Sequence, residues 1–422
     1  SRRGRGYAPI APRAFADPLA STAQCAQSSL QLSQMRPNRR VARGNPGWAS
    51  IGKPLSPVVR RPRYRVGMHI AVIMPRWVGD AVMATPALRS LRSQVGSAAR
   101  ITGVMRPVIT DLLAGSPWFD AVIPYDRHRD GGHTSFASAA RALAADRPDL
   151  AVILPNSLSS AAVAWRGGAR RRVGAAGHWR RWLLTDIVPP HRDHRGRIDL
   201  VPPPVAFMDV VAAAGVARGS LEVELAVSAA DLAVGDALLA RLFPGRSGPL
   251  VILNDNSSNG SARAWGSANH AKLAAWLLER LPTARLLAHC GPSDRDQARA
   301  VVKQAAHPAV RGLQEEPDLP ISLSKAVFAR SSLAVSSDSG PRHIAAAFGV
   351  PTVALVGPVD PRLGRSDPVR CAEIRLDLAC SPCGKQECPL VHHDCLRLIS
   401  VEQVGRTALD LLARQGAASQ AG

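Results

Sequence analysis

The stretch that decides the fold of this chain reads Val335-Ser-Ser-Asp-Ser-Gly-Pro-Arg-His-Ile-Ala-Ala-Ala-Phe-Gly-Val-Pro-Thr-Val-Ala-Leu-Val-Gly-Pro358. Its apolar start, together with residues 333–334, predicts a buried strand, and residues 352–356 predict a second one. A small polar turn lies between them and leads into a short helix that ends near Phe348. Two buried strands joined by a helix are typical of a parallel sheet with helices on its faces.

The turn before this helix carries residues that can bind a ligand. Backbone N–H groups and the positive end of the helix dipole meet there at the carboxyl edge of the sheet, which favours a phosphorylated ligand. Asp338 and Ser339 can cap the helix. Gly340 lets a ligand approach the backbone, and His343 lies within the first turn. An ordinary capped helix would show the same pattern, so the turn alone leaves both interpretations open.

A second segment repeats this arrangement near the start of the folded part. Residues 69–74 predict a buried strand, residues 75–80 a turn, and residues 81–94 a helix with an apolar face. Asp80 opens that helix, either as a favourable N-terminal carboxylate or as a base that faces a cleft. No G-x-G-x-x-G follows either strand, so the turns are not dinucleotide fingerprints.

Three motifs resemble those of one enzyme family. Residues 74–88 read Met-Pro-Arg-Trp-Val-Gly-Asp-Ala-Val-Met-Ala-Thr-Pro-Ala-Leu, residues 337–347 read Ser-Asp-Ser-Gly-Pro-Arg-His-Ile-Ala-Ala-Ala, and residues 380–395 read Cys-Ser-Pro-Cys-Gly-Lys-Gln-Glu-Cys-Pro-Leu-Val-His-His-Asp-Cys. They resemble the ADP-heptose–lipopolysaccharide heptosyltransferases (glycosyltransferase family 9), and the heptosyltransferase II branch especially, with Ser337 in place of a family Asn. The resemblance runs from about residue 68 to the C-terminus. It implies an α/β chain with the GT-B fold, in which two Rossmann-like doubly wound domains face a cleft.

Strand-like and helical runs alternate along the chain, which independently predicts parallel sheets covered by helices. The predicted strands are residues 69–74, 100–104, 121–123, 150–154, 250–253, 285–289, 333–335 and 352–356. The pattern lapses between about 218 and 248, where breakers cluster, and this predicts the domain boundary. We therefore expect an N-terminal acceptor-binding domain at 68–230 and a C-terminal nucleotide-sugar-binding domain at 248–422. The resemblance also implies that a last helix, at 401–414, packs back on the first domain.

Charge is distributed unevenly. Of the net charge of +21, residues 1–67 contribute +12 and the remainder +9. The leader at 1–67 is also rich in Pro, Ser and Gln and has no periodic pattern, so we expect it to be disordered. It can be a basic arm, a targeting peptide without an apolar core, or the product of a start placed too early; we favour the last, with Met68 as the start.

Glycosyl transfer needs a grip on the diphosphate leaving group, a base for the acceptor hydroxyl, and exclusion of water. The resemblance implies that Asp338, Ser339, Gly340 and His343 hold the donor. An Asp would repel a diphosphate, so Asp338 is expected to orient sugar hydroxyls or to cap the helix. Asp80 is the candidate general base of an inverting displacement. Its position at a helix N-terminus favours a lowered pKa, whereas burial in a closed cleft would raise it.

Two further donor-binding residues follow from the resemblance. Arg263 stands where the family has a donor-binding lysine, and its guanidinium can neutralise phosphate; a solvated loop charge is the alternative. The loop around it, residues 254–259, departs from the family pattern. Asp294 stands at the acidic position that binds the donor ribose, although an Asp there is equally suited to cap a helix.

The acceptor of this family is an anionic lipid A–core glycolipid. Clusters of cations and aromatics in the first domain suit such a partner and the surface of the inner membrane. The arginines proposed to bind it are Arg166, Arg170, Arg171, Arg172 and Arg180. Nucleic-acid phosphates or plain solvent are alternative partners for the same charges.

The cysteine-rich loop at 380–395 is ambiguous. Cys380, Cys383, Cys388 and Cys395 have the donor set of a tetrahedral zinc site, but their spacing matches no standard zinc motif. Reduced structural cysteines in a cytoplasm are the favoured interpretation. We expect no required cofactor, because relatives of this fold need no metal.

The leading hypothesis is an enzyme that transfers heptose from ADP-heptose to the inner core, in the cytoplasm at the face of the inner membrane. A GT-B enzyme with another sugar nucleotide or glycolipid is the first alternative. A zinc-bearing nucleic-acid-binding protein is the second, suggested by a pI of about 11.1. No nucleic-acid-binding module is visible, so no nucleic acid is expected as a partner.

Overall fold

The computed structural model describes residues 65–126, 132–177, 179–255, 260–367 and 369–420, without the side chains of residues 416–420. Most of the basic leader, at 1–64, and most of the unusual loop, at 256–259, lie outside these ranges. The expectations for those two segments therefore stay predictions.

Twelve strands are described: β1 (Met68–Ile73), β2 (Ala99–Met105), β3 (Ala121–Pro124), β4 (Leu150–Ile153), β5 (Arg171–Ala175), β6 (Asp186–Val188), β7 (Leu250–Asn254), β8 (Arg285–Ala288), β9 (Val310–Gly312), β10 (Leu333–Ser337), β11 (Thr352–Leu355) and β12 (Cys371–Ile374). The described helices are α1 (Val78–Met83), α2 (Thr85–Val95), α3 (Pro107–Leu113), α4 (Phe136–Asp146), α5 (Leu158–Arg166), α6 (Pro203–Ala214), α7 (Ala229–Leu242), α8 (Ser267–Arg280), α9 (Arg295–Ala305), α10 (Ile321–Ala329), α11 (Gly340–Ala347), α12 (Asp394–Arg397) and α13 (Val401–Gln420).

The strands form two six-stranded sheets, in the orders β3-β2-β1-β4-β5-β6 and β12-β11-β10-β7-β8-β9. Every strand pair is parallel. Each sheet has the strand order of a dinucleotide-binding Rossmann fold, so the prediction of two Rossmann-like units is confirmed. In such sheets ligands bind outside the carboxyl ends of the strands where the order reverses, between β1 and β4 and between β7 and β10.

The central strands match the prediction because they are buried on both faces. All of Leu150–Ile153 and Leu333–Ser337, for example, is buried. Sequence reasoning missed four strands: β6, β9 and β12, which are edge strands, and β5, which lies between β4 and the edge strand β6. They contain polar residues or only three residues. Such strands need less apolar sequence, so they leave no continuous hydrophobic run to recognise.

Two helix predictions need correction, and a segment predicted as the domain boundary contains a helix. The expected helix at 81–94 is two helices, α1 and α2, because Pro86 fits the first turn of a new helix but not the interior of an old one. The lapse at 218–248 contains α7, which packs on α10. Helix α13 packs mainly on α8 and on β10 and β11, so the expectation that it returns to the first domain is wrong.

The two halves of the described chain meet through buried contacts. Lys325 of α10 is only 1% exposed, and its Nζ donates to the carbonyl oxygens of Asp111, Leu112 and Ala114 at 3.2–3.3 Å. These carbonyls lie at the C-terminal end of α3, where a cation is favourable. A charged group of the second half therefore caps a helix of the first. None of the helices within the described ranges is long and apolar enough to span a bilayer.

Candidate functional site

The two signature segments meet where α1 faces α11. A Cβ built on Gly79 would lie 2.7 Å from Cδ2 of His343 and 3.5 Å from the Cα of Gly340. A Cβ on Gly340 would in turn lie 3.4 Å from Cβ of Val78. Only residues without side chains allow the two backbones to approach so closely. Helix α1, which carries Asp80 in its first turn, thus lies directly against the start of the helix that holds His343.

Gly79→Ala should therefore disturb the junction of the two halves. The imidazole of His343 is buried and cannot move aside easily, so we expect kcat/KM to fall about 10²-fold through misplacement of the reacting groups. Steady-state kinetics will measure this. Gly405→Ala is the matched control, because its methyl would clash with Trp276, between α13 and α8. If both variants lose stability and kcat/KM to the same extent, the junction has no special role in catalysis.

Asp80 is partly buried in the first turn of α1. Burial raises the pKa of this carboxyl to about 6, the nearby Arg263 cation lowers it, and the nearby Asp338 carboxylate raises it. Burial therefore outweighs the effect of the helix N-terminus, which the sequence left undecided. A carboxylate with a pKa near 6 is a stronger base than an ordinary aspartate and is still ionised at pH 7.

Arg263 and Asp338 belong to the second half. Arg263 ends a short 3-10 helix, Ser261–Arg263, and its Nη1 donates to the carbonyl oxygen of Asp338 at 2.9 Å. Its Nε is buried and has no hydrogen-bond partner among the described residues. The guanidinium is thus held in place with donor capacity to spare, which suits an anionic ligand better than the alternative of a solvated loop charge.

Asp338 does not cap α11, and an arginine partly balances its charge. Its Oδ1 accepts from Nη1 of Arg342 at 2.6 Å, and Nη2 of Arg342 donates to Glu373 at 2.8 Å. Both Asp338 and Arg342 are buried, at 6% and 2% exposure. Pairing with Arg342 reduces the repulsion that Asp338 would exert on a diphosphate. Arg342 was not singled out in the sequence, since nothing marks it as the buried partner of two carboxylates.

The N-terminus of α11 keeps its amides uncapped by side chains. Ser339 is the N-cap residue, but its Oγ makes no cap hydrogen bond and instead accepts from Nδ2 of Asn254 at 3.1 Å. Asn254 ends β7 and also bonds to His289 at 3.1 Å. This buried network fixes the turn from behind, and it leaves the first-turn amides directed at the cleft for an anionic group. Asn254 could have been found as a polar residue that ends a buried strand.

His343 is buried and neutral. Burial and the charges of Arg342 and Arg263 lower its pKa to about 3, against the opposing effect of Asp338. Its Nδ1 lies 2.9 Å from Oγ of Ser366. His343 therefore serves as a fixed hydrogen-bonding group rather than as a titrating one at neutral pH. No sequence signal connects Ser366, in a distant loop, with this histidine.

Asp294 lies beyond the carboxyl end of β8, as the last residue of the 3-10 turn Pro292–Asp294. It is the N-cap residue of α9, but its side chain makes no cap hydrogen bond. Burial raises its pKa, and a hydrogen bond from Ser293 lowers it. Of the two roles considered from the sequence, helix capping by the side chain is therefore not the one observed.

A cavity of about 440 Å³ opens beside Asp80 in the first half. It lies at the carboxyl ends of β1, β2 and β4, the switch point of the first sheet. Its walls are mainly apolar, with Phe207 and Val210 of α6 and Leu363 of the second half among them. Arg76 and Arg106 supply positive charge in the cavity, and Nε of Arg106 donates to Asp126 at 3.0 Å. Sequence reasoning missed both arginines, because they stand alone rather than in a basic cluster.

The proposed acceptor-binding arginines divide into two groups. Arg166 and Arg170 are exposed. Arg171 binds Asp186 at 2.8 Å and two carbonyls at the end of α6, and Arg172 donates to the carbonyl of Leu183 at 2.6 Å. These two are therefore used largely within the fold.

Arg180 contradicts the expectation most clearly. It is fully buried, and it donates to the carbonyl oxygens of Ala175 at 2.8 Å, Pro155 at 2.5 Å and Ser157 at 3.2 Å. Burial lowers its pKa to about 10, so it remains a cation at neutral pH. Its role is to join β5 to the start of α5, and it cannot meet an anionic acceptor.

Arg180→Met should destabilise the protein, since it leaves these buried carbonyls without a donor. We expect the free energy of unfolding to fall by about 2–3 kcal/mol, as measured by urea denaturation. Arg170→Met is the control, because its side chain is 85% exposed and should change stability by less than about 0.5 kcal/mol. An equal effect of both substitutions would contradict the structural role of Arg180.

The cysteines of the 380–395 loop are all free thiols. Burial raises the pKa of Cys395, and the neighbouring Cys380, Cys383 and Cys388 raise it further. Within the described ranges, no three or more His, Cys, Asp or Glu side chains are grouped so that they could hold a metal ion. The alternative of a structural zinc therefore stays a prediction.

Comparison with known proteins places these features in one family. A model of glycosyltransferase family 9 (heptosyltransferase) matches residues 136–393. The chain is 27% identical over 363 residues to lipopolysaccharide heptosyltransferase 2 of Salmonella typhimurium, a match that covers 83% of this chain and 100% of that one. It is 28% identical over 173 residues to lipooligosaccharide heptosyltransferase 2 of Campylobacter jejuni, which covers 40% of this chain and 52%, about half, of that relative.

Among solved structures, E. coli ADP-heptose lps heptosyltransferase II superimposes with a TM-score of 0.64 at 24% identity. The superposition covers 83% of this chain and 100% of that one. At 24% identity the superposition is evidence for the fold alone, and it confirms the expected two-sheet GT-B architecture.

Proposed function

Since this chain belongs to glycosyltransferase family 9, the heptosyltransferases, we propose that it transfers L-glycero-D-manno-heptose from ADP-heptose to heptosylated Kdo–lipid A of the lipopolysaccharide inner core. The relatives from Salmonella and Campylobacter, named lipopolysaccharide and lipooligosaccharide heptosyltransferase 2, support heptose as the transferred sugar and a lipopolysaccharide-type acceptor. One observation carries the proposal: Asp80, Arg263 and the N-terminus of α11 lie close together. On one side of them is the cavity of the first half, and on the other is a sheet of the nucleotide-binding type.

Asp80 is the proposed general base. Its carboxylate takes the proton of an acceptor hydroxyl as the hydroxyl oxygen attacks the anomeric carbon of the donor. The bond from that carbon to the β-phosphate oxygen breaks on the opposite face, so the configuration inverts and ADP leaves. A pKa of about 6 keeps Asp80 ionised at neutral pH and makes it basic enough to share the proton in the transition state.

The second half is the proposed donor site. Arg263, the first-turn amides of α11 and the backbone at Gly340 neutralise the negative charge that grows on the leaving diphosphate. Ser339 and Asn254 hold this turn in position, and Asp338 and Asp294 are available to accept from sugar and ribose hydroxyls. His343, neutral and fixed by Ser366, completes the wall without adding charge.

The first half is the proposed acceptor site. The cavity beside Asp80 is large enough for sugar residues, and Arg76 and Arg106 lie where they can bind carboxylate or phosphate groups of an anionic core. These two replace Arg171, Arg172 and Arg180 in the acceptor proposal, whereas Arg166 and Arg170, which are exposed, stay in it as contacts outside the cavity. The charge stabilisation described above comes from the chain's own groups, so we propose that no cofactor is required. We place the reaction in the cytoplasm, at the face of the inner membrane.

The test is direct. The protein is incubated with ADP-heptose and purified mono-heptosylated Kdo–lipid A, and ADP release and glycolipid mass are followed together. A gain of one heptose establishes the reaction. ADP release without a change in glycolipid mass points to another acceptor, and activity only with a different sugar nucleotide supports the alternative GT-B enzyme. If the folded protein gives neither product with any sugar nucleotide, the proposal is wrong.

A further inference from the structure

An unusual surface lies on the first half. Residues 150–185 contain six arginines and no Asp or Glu. Within this segment Trp179 is 93% exposed, Trp182 is 70% exposed and Trp165 is 49% exposed. Soluble surfaces rarely place several large aromatic side chains together in solvent, and such groups mark sites of interaction. Trp165, Trp179 and Trp182, with the exposed arginines Arg166 and Arg181, are called the tryptophan surface below.

The packing and the backbone of its tryptophans indicate that the tryptophan surface is a defined part of the fold. The rings of Trp165 and Trp182 pack edge to face with centroids 6.3 Å apart, although both stay exposed. Trp179 has a left-handed backbone with φ of 56°, which is unfavourable for a bulky residue. At this position a tryptophan gains neither a favourable backbone conformation nor burial within the fold. Strained and exposed residues of this kind are kept for contacts outside the chain.

Arg180 holds this surface against the cavity. It is the buried residue between exposed Trp179 and exposed Arg181, and it donates to the carbonyls of Pro155 and Ser157, both of which line the cavity. Gly177 comes so close to Asn156, another lining residue, that a Cβ would lie 2.7 Å from its side chain. The loop with the exposed tryptophans is therefore fixed to the cavity wall.

We propose that the tryptophan surface binds an anionic lipid bilayer, with the tryptophan rings at the depth of the headgroups. Tryptophan is the residue type that favours the membrane–water interface, because its ring is apolar with one polar edge. The exposed arginines, with no acidic residue in the same segment, complement anionic headgroups. The inference deepens the proposed function and rests on it for one point: the acceptor is a glycolipid, whose acyl chains stay in the bilayer while its sugars reach the cavity.

A nucleic acid is a poorer match for these observations. Stacking on bases would use the tryptophans, but the cavity next to the loop of Trp179 is mainly apolar and does not form a positive groove along a backbone. A surface that binds a second copy of the chain would need apolar area without an excess of positive charge. The combination of exposed tryptophans and unbalanced arginines suits the bilayer best.

The experiment measures binding to vesicles by co-sedimentation, with the whole protein and without donor or acceptor. Vesicles of phosphatidylglycerol and phosphatidylcholine in equal parts are compared with vesicles of phosphatidylcholine alone. We expect the double variant Trp179→Ser, Trp182→Ser to lower the partition coefficient on the mixed vesicles at least tenfold. Arg166→Glu with Arg181→Glu should remove the preference for mixed vesicles. The matched controls, Val391→Ser at an 80% exposed apolar residue and Lys303→Glu at an exposed cation, should bind as the wild type does.

Several results would overturn the proposal. Equal partitioning of the wild type and the tryptophan variant would show that other basic regions, such as residues 1–67, carry vesicle binding. A change in sedimentation coefficient between them, with unchanged vesicle binding, would make the surface an interface between copies. Loss of transfer to a deacylated, water-soluble acceptor with unchanged vesicle binding would make it a sugar-binding surface. Failure of the proposed function is distinguishable, because it would abolish transfer by the wild type and leave these vesicle measurements intact.

Discussion

Asp80→Asn should lower kcat by about 10²- to 10⁴-fold, the usual contribution of a general base. The amide has nearly the same shape, so the substitution removes the proton acceptor and little else. We expect KM for both substrates to change by less than about threefold, since the effect concerns a step after binding. Initial rates of ADP release at saturating substrate measure it. Asp236→Asn is the matched control, because Asp236 is an exposed carboxylate paired with Arg330 on the outer surface.

The pH dependence gives a second and independent test of Asp80. With its pKa raised to about 6, kcat/KM should be constant near neutrality and fall tenfold per pH unit below about pH 6. The folded protein holds this proton more strongly than the unfolded chain, so the contribution of Asp80 to stability is present in acid and is lost as the pH rises through 6. Asp80→Asn should accordingly unfold at a somewhat higher temperature at pH 7. An unchanged acid limb in this variant would assign the limb to another group.

Arg263→Gln should lower kcat/KM by about 10²- to 10³-fold, the range expected when one donor to a leaving-group oxygen is lost. The reason is that its guanidinium is fixed by the Asp338 carbonyl and still has an unpartnered Nε among the described residues. The substitution should also move the acid limb to higher pH, because the Arg263 cation lowers the pKa of Asp80. Rate–pH profiles of the two proteins will show both effects together.

Two controls separate charge from geometry at this position. Arg263→Lys keeps the positive charge but loses the planar fork, so it should restore the acid limb and only part of the rate. Arg241→Gln removes an exposed arginine that pairs with Glu316 on the surface, and it should leave both properties unchanged. A full rate in Arg263→Gln, or an acid limb that does not move, would remove Arg263 from the donor site.

The sequence predicted the fold well where burial leaves a strong pattern. The central strands of both sheets match because strands of a parallel sheet are apolar along their whole length, and the two motif turns match because each follows such a strand. The two motif segments also lie next to each other, since Gly79 lies against His343. Strand β5 (Arg171–Ala175) was missed, since the two arginines at its start resemble a loop.

Charge was the property that the sequence could least assign. Arg180 and Arg166 look equivalent in the sequence, since each follows a tryptophan. Arg180, however, is fully buried against carbonyls, whereas Arg166 is exposed. Asp338 was expected to cap a helix or bind hydroxyls, but the partner that decides its charge, Arg342, lies one turn further along the helix. The balance between burial and helix dipole at Asp80 likewise depends on groups far away in sequence. Burial and ion pairing depend on distances in three dimensions, and the order of residues does not give those distances.

The glycine contact between α1 and α11 also limits how the enzyme can be rebuilt from parts. A chimera that joins this first half to the second half of a relative would exchange Arg263 and Asp338, the two charges that adjust the acidity of Asp80. A change of sugar nucleotide by domain exchange would thus alter the strength of the base as well. At this contact Gly79 and Gly340 have no side chains that could adjust to a mismatch, so modular evolution of donor choice in this chain must preserve the junction first.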